Sequence, residues 1–133
     1  MIQSGKFDSS NMDIKKIANT LLIFIIKKLI EIMGILVSIF GIFIFISLIS
    51  YSPNDPNFIF PENVEIENFF GFHGSYLSDL FFQSVGLIAY LVPITYFFTG
   101  INIFNKKEIL LIITNTFFII PYSLTGSIFF SFF

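Results

Sequence analysis

Residues 32–49 read IMGILVSIFGIFIFISLI, a run with no charge in it. At 1.5 Å of rise per helical residue it measures about 27 Å, close to the roughly 30 Å hydrocarbon core of a bilayer. Two runs of similar length follow, Leu80–Ile101 and Ile109 to about Phe129. In hydrocarbon every backbone polar group needs an internal partner, so each run predicts a helix. The rest of the chain agrees: of 133 residues, 55% are hydrophobic, 21 are Phe and 12% are charged. A soluble domain carries about 25% charged residues. The fold class expected is therefore an all-α integral membrane protein with three transmembrane helices and an acidic external loop.

Moving outward from the spans, the charges set the orientation. All seven basic residues are lysines. Lys6, Lys15, Lys16, Lys27 and Lys28 precede the first span, and Lys106 and Lys107 separate the second from the third. Residues 50–79 have no lysine and carry Asp55, Glu62, Glu65, Glu67 and Asp79. Lysine bias at span ends marks the cytoplasmic side. Both groups place the amino terminus inside and the acidic loop outside.

The expected organisation begins with a disordered cytoplasmic tail at 1–12, rich in small polar residues. Residues 13–31 space Ile14, Ile17, Leu21, Phe24 and Ile25 at helical intervals between lysine pairs. They read as an amphipathic cytoplasmic or interfacial helix; the alternative is an extension of the first span whose lysines snorkel outward. Transmembrane helix 1 then occupies 32–49, a periplasmic loop 50–79, helix 2 80–101, a cytoplasmic loop 102–108 and helix 3 109–133. Gly34, Ser38 and Gly41 share one helical face, the small-residue pattern through which membrane helices pack closely. Whether that face packs within the chain or between copies stays open. Pro93 and Pro121 each remove a backbone donor inside a run. Asp79, at the start of helix 2, would face the positive end of the helix dipole, and Asn115 and Thr116 are placed to hydrogen-bond a neighbouring helix.

Chemistry-bearing patterns are missing. There is no cysteine and a single histidine, His73, and no G-x-x-x-x-G-K-[ST] phosphate loop. No ionisable residue lies deep in a span, as a transport path would favour. The segment reads as no enzyme, with no catalytic, cofactor-binding or metal-binding residues.

Order and spacing in the middle of the chain carry more. The first span runs into Ser50-Tyr51-Ser52-Pro53-Asn54-Asp55-Pro56; Gly71, Gly74, Ser75, Ser78, Asp79 and Leu80 follow, then Gly86, Ala89, Tyr90 and Pro93. This resembles the amino-terminal membrane region of the FtsK/SpoIIIE DNA translocases, where a Ser-Tyr-x-Pro-x-Asp-Pro turn precedes a Gly-x-x-Gly stretch and a Gly-x-x-Ala-Tyr-x-x-Pro span. Ser75 and Ser78 stand where the family favours alanine, and Phe58 where many members have tryptophan. Tyr51, Phe58, Phe60, Tyr76, Phe81 and Phe82 would line the outer interface. The resemblance implies a four-helix membrane domain, here truncated, that tethers an ATP-driven DNA motor at the division septum of a bacterial inner membrane. It also implies homo-oligomerisation, other cell-division membrane proteins as partners, and ATP, Mg²⁺ and DNA handled only by a motor absent from this chain. The competing expectation is a small stand-alone multispan protein, a transporter or channel subunit or a holin-like protein.

Overall fold

The computed structural model describes residues 4–55 and 65–132. Pro56, Phe58 and Phe60 lie outside them. Four α-helices are present among the described residues: α1 (Ser4–Ile49), α2 (Gly71–Val85), α3 (Leu91–Lys106) and α4 (Leu110–Ser131), with a 3₁₀ segment at Gly86–Tyr90 joining α2 to α3. Three helical stretches are long and apolar enough to cross a membrane, as the fold class requires: Asp13–Ile49, Gly71–Lys106 and Leu110–Ser131.

α1 departs from the expected division. It is one helix of 46 residues, covering much of the tail expected to be disordered and all of 13–31. No glycine or proline interrupts residues 6–33. Once a helix has nucleated, each further residue adds a hydrogen bond at small cost, so nothing here stops propagation. The helix ends where Pro53, in a turn closed by Asp55 N–H donating to the Ser52 carbonyl (3.2 Å), cannot continue it.

The second span also differs. Residues 71–79, expected in the loop, are the first part of α2. Gly74, Ser75, Ser78 and Asp79 form one buried face of it, and that burial overrides the weak helix propensity of Gly and Ser. α2 ends at Gly86, whose φ of 60° and ψ of −141° suit glycine alone. Gly86–Tyr90 and α3 together rise about 34 Å, enough to cross the hydrocarbon without α2. α2 packs instead on α1 and α4 at the loop end of the bundle. Asp79 therefore lies mid-helix rather than at a helix start, and Pro93 falls in the first turn of α3, where a missing N–H is tolerated.

The main packing seam is α1 against α3. A Cβ on Gly34 would lie 2.7 Å from the Phe104 nitrogen and 2.8 Å from the Gly100 carbonyl oxygen. One on Gly41 would lie 2.7 Å from the Phe97 nitrogen and 2.9 Å from the Pro93 oxygen. Between them Ser38 Oγ donates to the Phe97 carbonyl (3.2 Å). The Gly34–Ser38–Gly41 face thus meets α3 of the same chain. Above this seam Ile44, Leu48 and Ala89 form a buried cluster. Polar side chains link α4 to α3, with Asn115 Nδ2 donating to Thr99 Oγ1 (2.6 Å) and Thr95 and Tyr122 hydroxyls 2.7 Å apart. Tyr96 and Thr116 hydroxyls lie 3.3 Å apart.

Candidate functional site: a polar clasp at the loop end

A helix end leaves its last carbonyls without internal partners. At the end of α1 these are met from outside the helix. The Asn68 side-chain amide donates to the carbonyls of Ser47 (2.9 Å) and Ser50 (3.2 Å). Asn68 is itself fixed by Asp55, whose carboxylate accepts the N–H groups of Glu67 (2.8 Å) and Asn68 (3.0 Å). The Asn68 Oδ1 accepts the Phe70 N–H (3.1 Å). Ser50 Oγ donates to the Ile46 carbonyl (2.8 Å) and accepts the Phe69 N–H (3.2 Å). Gly74 is required beneath this knot, because a Cβ there would overlap the Asn68 side chain. Asp55 and Asn68 are both buried.

A second polar contact lies beside the first. Asp79 is 7% exposed and accepts from Gln83 Nε2 (2.7 Å) and the Tyr51 hydroxyl (3.4 Å). Burial, then the Asp79 charge and hydrogen bond, then the more distant Asp55 charge, push the Tyr51 phenol above its ordinary value of 10.0. The Tyr51 ring packs on Phe82 at 4.7 Å between centroids, and Phe82 on Tyr90 at 5.7 Å. The Tyr90 hydroxyl donates to the Leu48 carbonyl (3.2 Å).

Tyr51, Asp55, Gly74, Asp79, Ala89 and Tyr90, separated by up to 39 positions, thus meet around the end of α1. Gly71 and Gly86, both at φ 60°, bound α2 and turn the chain into and out of it. Pro53 stands in the turn beside them and is exposed. The centre of the clasp, Asn68, was missed by sequence reasoning. The only hint was an amide following an acidic, lysine-free run, and an asparagine in a loop carries little signal by itself.

At the opposite, lysine end, Glu31 pairs with Lys28 (2.8 Å) and Lys107 (2.9 Å), linking α1 to the short α3–α4 connection. Lys107 takes the left-handed conformation that closes α3, and its Nζ also donates to the Phe104 carbonyl. Among the described residues no group of three or more His, Cys, Asp or Glu could hold a metal ion. Among the described residues the arrangement joins helices.

Comparison with known proteins places this geometry. A family model described as the 4TM region of DNA translocase FtsK/SpoIIIE matches residues 27–133. The chain is 38% identical over 69 residues to a DNA translocase FtsK of Rickettsia typhi, covering 52% of this chain and 9% of that protein. It is 31% identical over 77 residues to that of Rickettsia bellii, covering 58% and 10%. For Azospirillum brasilense the figures are 31% over 88 residues, 65% and 14%. The matched segments thus span about a tenth of the relatives' length. No solved structure matches the chain.

Proposed function

Since the chain belongs to the family of the 4TM region of the FtsK/SpoIIIE DNA translocases, we propose that it is the membrane anchor of such a translocase. On this reading it tethers an ATP-driven DNA motor at the division septum of a bacterial inner membrane. The observation that carries the reading is the match over residues 27–133, which takes in the α1–α3 seam, the clasp and α4. The curated relatives are matched over a small part of their length, and that part is the membrane region. The chain contributes anchoring and assembly; ATP, Mg²⁺ and DNA are handled by the motor of the parent protein. Its partners are the bilayer, further copies of itself and other membrane proteins of division.

The lysine asymmetry supports a cytoplasmic amino terminus, with the clasp on the periplasmic side. Two experiments test these parts separately. A fluorescent fusion to residues 1–133 in dividing cells should gather at the septum; an even distribution around the envelope would remove septal tethering. Single cysteines at the exposed positions Asn54 and Asn105 should differ toward an impermeant maleimide, the first labelled from the periplasm and the second protected. The reverse pattern would invert the orientation and place the motor on the wrong side.

A further inference from the structure

The backbone just before α2 is unusually complete in its hydrogen bonding. Five consecutive N–H groups have protein acceptors: Glu67 and Asn68 on the Asp55 carboxylate, Phe69 on Ser50 Oγ, Phe70 on Asn68 Oδ1 and Gly71 on the Asn68 carbonyl. Three of the five acceptors are side-chain oxygens of Asp55 and Ser50, supplied from elsewhere in the chain. A loop in water needs no such provision, because water accepts from its free N–H groups. A loop in hydrocarbon needs all of it.

Its level in the bundle agrees. The Phe70 ring packs 4.5 Å from that of Phe43, and Phe43 lies six residues before α1 ends at Ile49, or about 9 Å of helix rise. The Asn68 amide reaches the carbonyls of the last α1 turn. The chain therefore leaves α1, turns, and comes back down beside it before α2 starts.

Within residues 68–72 the exposed side chains are apolar: Phe69 is 78% exposed, Phe72 is exposed as well, and Phe70, though its ring packs on Phe43, stays partly open. Between Asn68 and Ser78 there is no charged side chain. Exposed His73, beside the Phe72 ring, presents the apolar body and polar tip suited to an interface, and the exposed Glu65 and Glu67 precede the segment.

We propose that residues 68–72 form a re-entrant loop inserted into the outer-end leaflet, with phospholipid hydrocarbon as the occupant of its exposed phenylalanine face. Asp55, Ser50 and Asn68 act as an internal substitute for water. The N–H groups of residues 67–71 are all met within the chain, which suits an occupant that can accept no hydrogen bond, hydrocarbon rather than a second protein copy. The inference requires only that the bundle spans a bilayer and stands apart from the translocase reading.

The chain has no tryptophan, so single substitutions report without background. Phe69→Trp, Phe72→Trp and, as a water-side reference, Asn54→Trp would be placed in phosphatidylcholine–phosphatidylglycerol vesicles, with and without brominated acyl chains. Strong quenching by bromolipid and weak quenching by iodide are expected at 69 and 72, and the opposite at 54. Iodide quenching at both 69 and 72 equal to that at 54 would put the loop in water. Quenching by neither agent would mean a protein surface covers it. Either result overturns the proposal, and each position tests it independently should the other variant misfold. Adding Asp55→Asn to Phe69→Trp should lower bromolipid quenching several-fold; unchanged quenching would overturn the role given to Asp55.

Discussion

The side-chain amide of Asn68 stands 2.9 Å from the carbonyl of Ser47, 21 positions earlier in the chain. One loop residue thereby closes the end of a 46-residue helix. Helix termini in water are finished by solvent; here Ser47 and Asn68 are buried, and a protein donor takes the place of solvent.

That dependence gives the first prediction. Asn68→Asp preserves size and removes both donors, leaving the Ser50 carbonyl without this partner and the Ser47 carbonyl with only the long Ser50 Oγ contact (3.5 Å), at about 1–3 kcal/mol for each group left unsatisfied. It also sets a carboxylate against the negative end of the α1 dipole. Asn68→Asp should therefore lose more stability than Asn68→Ala, read as the midpoint of unfolding in mixed detergent–dodecyl sulfate micelles. Equal losses would mean the α1 dipole places no charge penalty at position 68; no loss in either variant would mean the amide is not what closes α1.

Two classes of glycine should separate by mechanism. A Cβ on Gly100 would overlap Ser38 and the Gly34 carbonyl across the α1–α3 seam, so Gly100→Ala should cost about 1–3 kcal/mol through overpacking. Gly86 has nothing within 4 Å of a Cβ but sits at φ +60°, so Gly86→Ala pays only backbone strain, of the order of 1–3 kcal/mol. The energies overlap, but their locations do not. Hydrogen exchange should quicken along α1 and α3 in Gly100→Ala, and only near the α2–α3 break in Gly86→Ala.

Tyr51 sets an alkaline limit. Its folded phenol titrates above its ordinary value of 10.0, first through burial and then through Asp79. The folded state then holds the proton more tightly than the unfolded one. The stability from this group is complete below about pH 10 and is lost as pH rises through the folded value. A spectrophotometric titration of the chain minus that of Tyr51→Phe should show a transition later than that of a free phenol. Asp79→Asn should bring it earlier.

Ser123 offers the converse case. Its hydroxyl is buried, with the residue 4% exposed, and has no hydrogen-bond partner among the described residues. Burying such a group costs about 1–3 kcal/mol by mutational measures. Ser123→Ala should raise stability by about 1 kcal/mol in the same micelle assay. For comparison, Asn115→Ala should lower it by only about 0.6 kcal/mol, the usual net worth of an interhelical bond in a membrane protein.

Much of the architecture was legible in the chain itself, because its physical causes are local. Apolar runs the length of a bilayer must be helices, Pro53 must end the first, and clustered lysines separate one side from the other. Gly34, Ser38 and Gly41 announced a close-packing face by their spacing alone. What only the tertiary structure decided was non-local. It gave that face to α3 of the same chain, made helix of residues 71–79 by burying their small side chains, and broke the second helical stretch at Gly86. It also made Asn68 the centre of the clasp. A run of hydrophobic residues states that it must leave water; which carbonyl a loop amide will meet depends on where three helices bring it, and no neighbour in sequence encodes that.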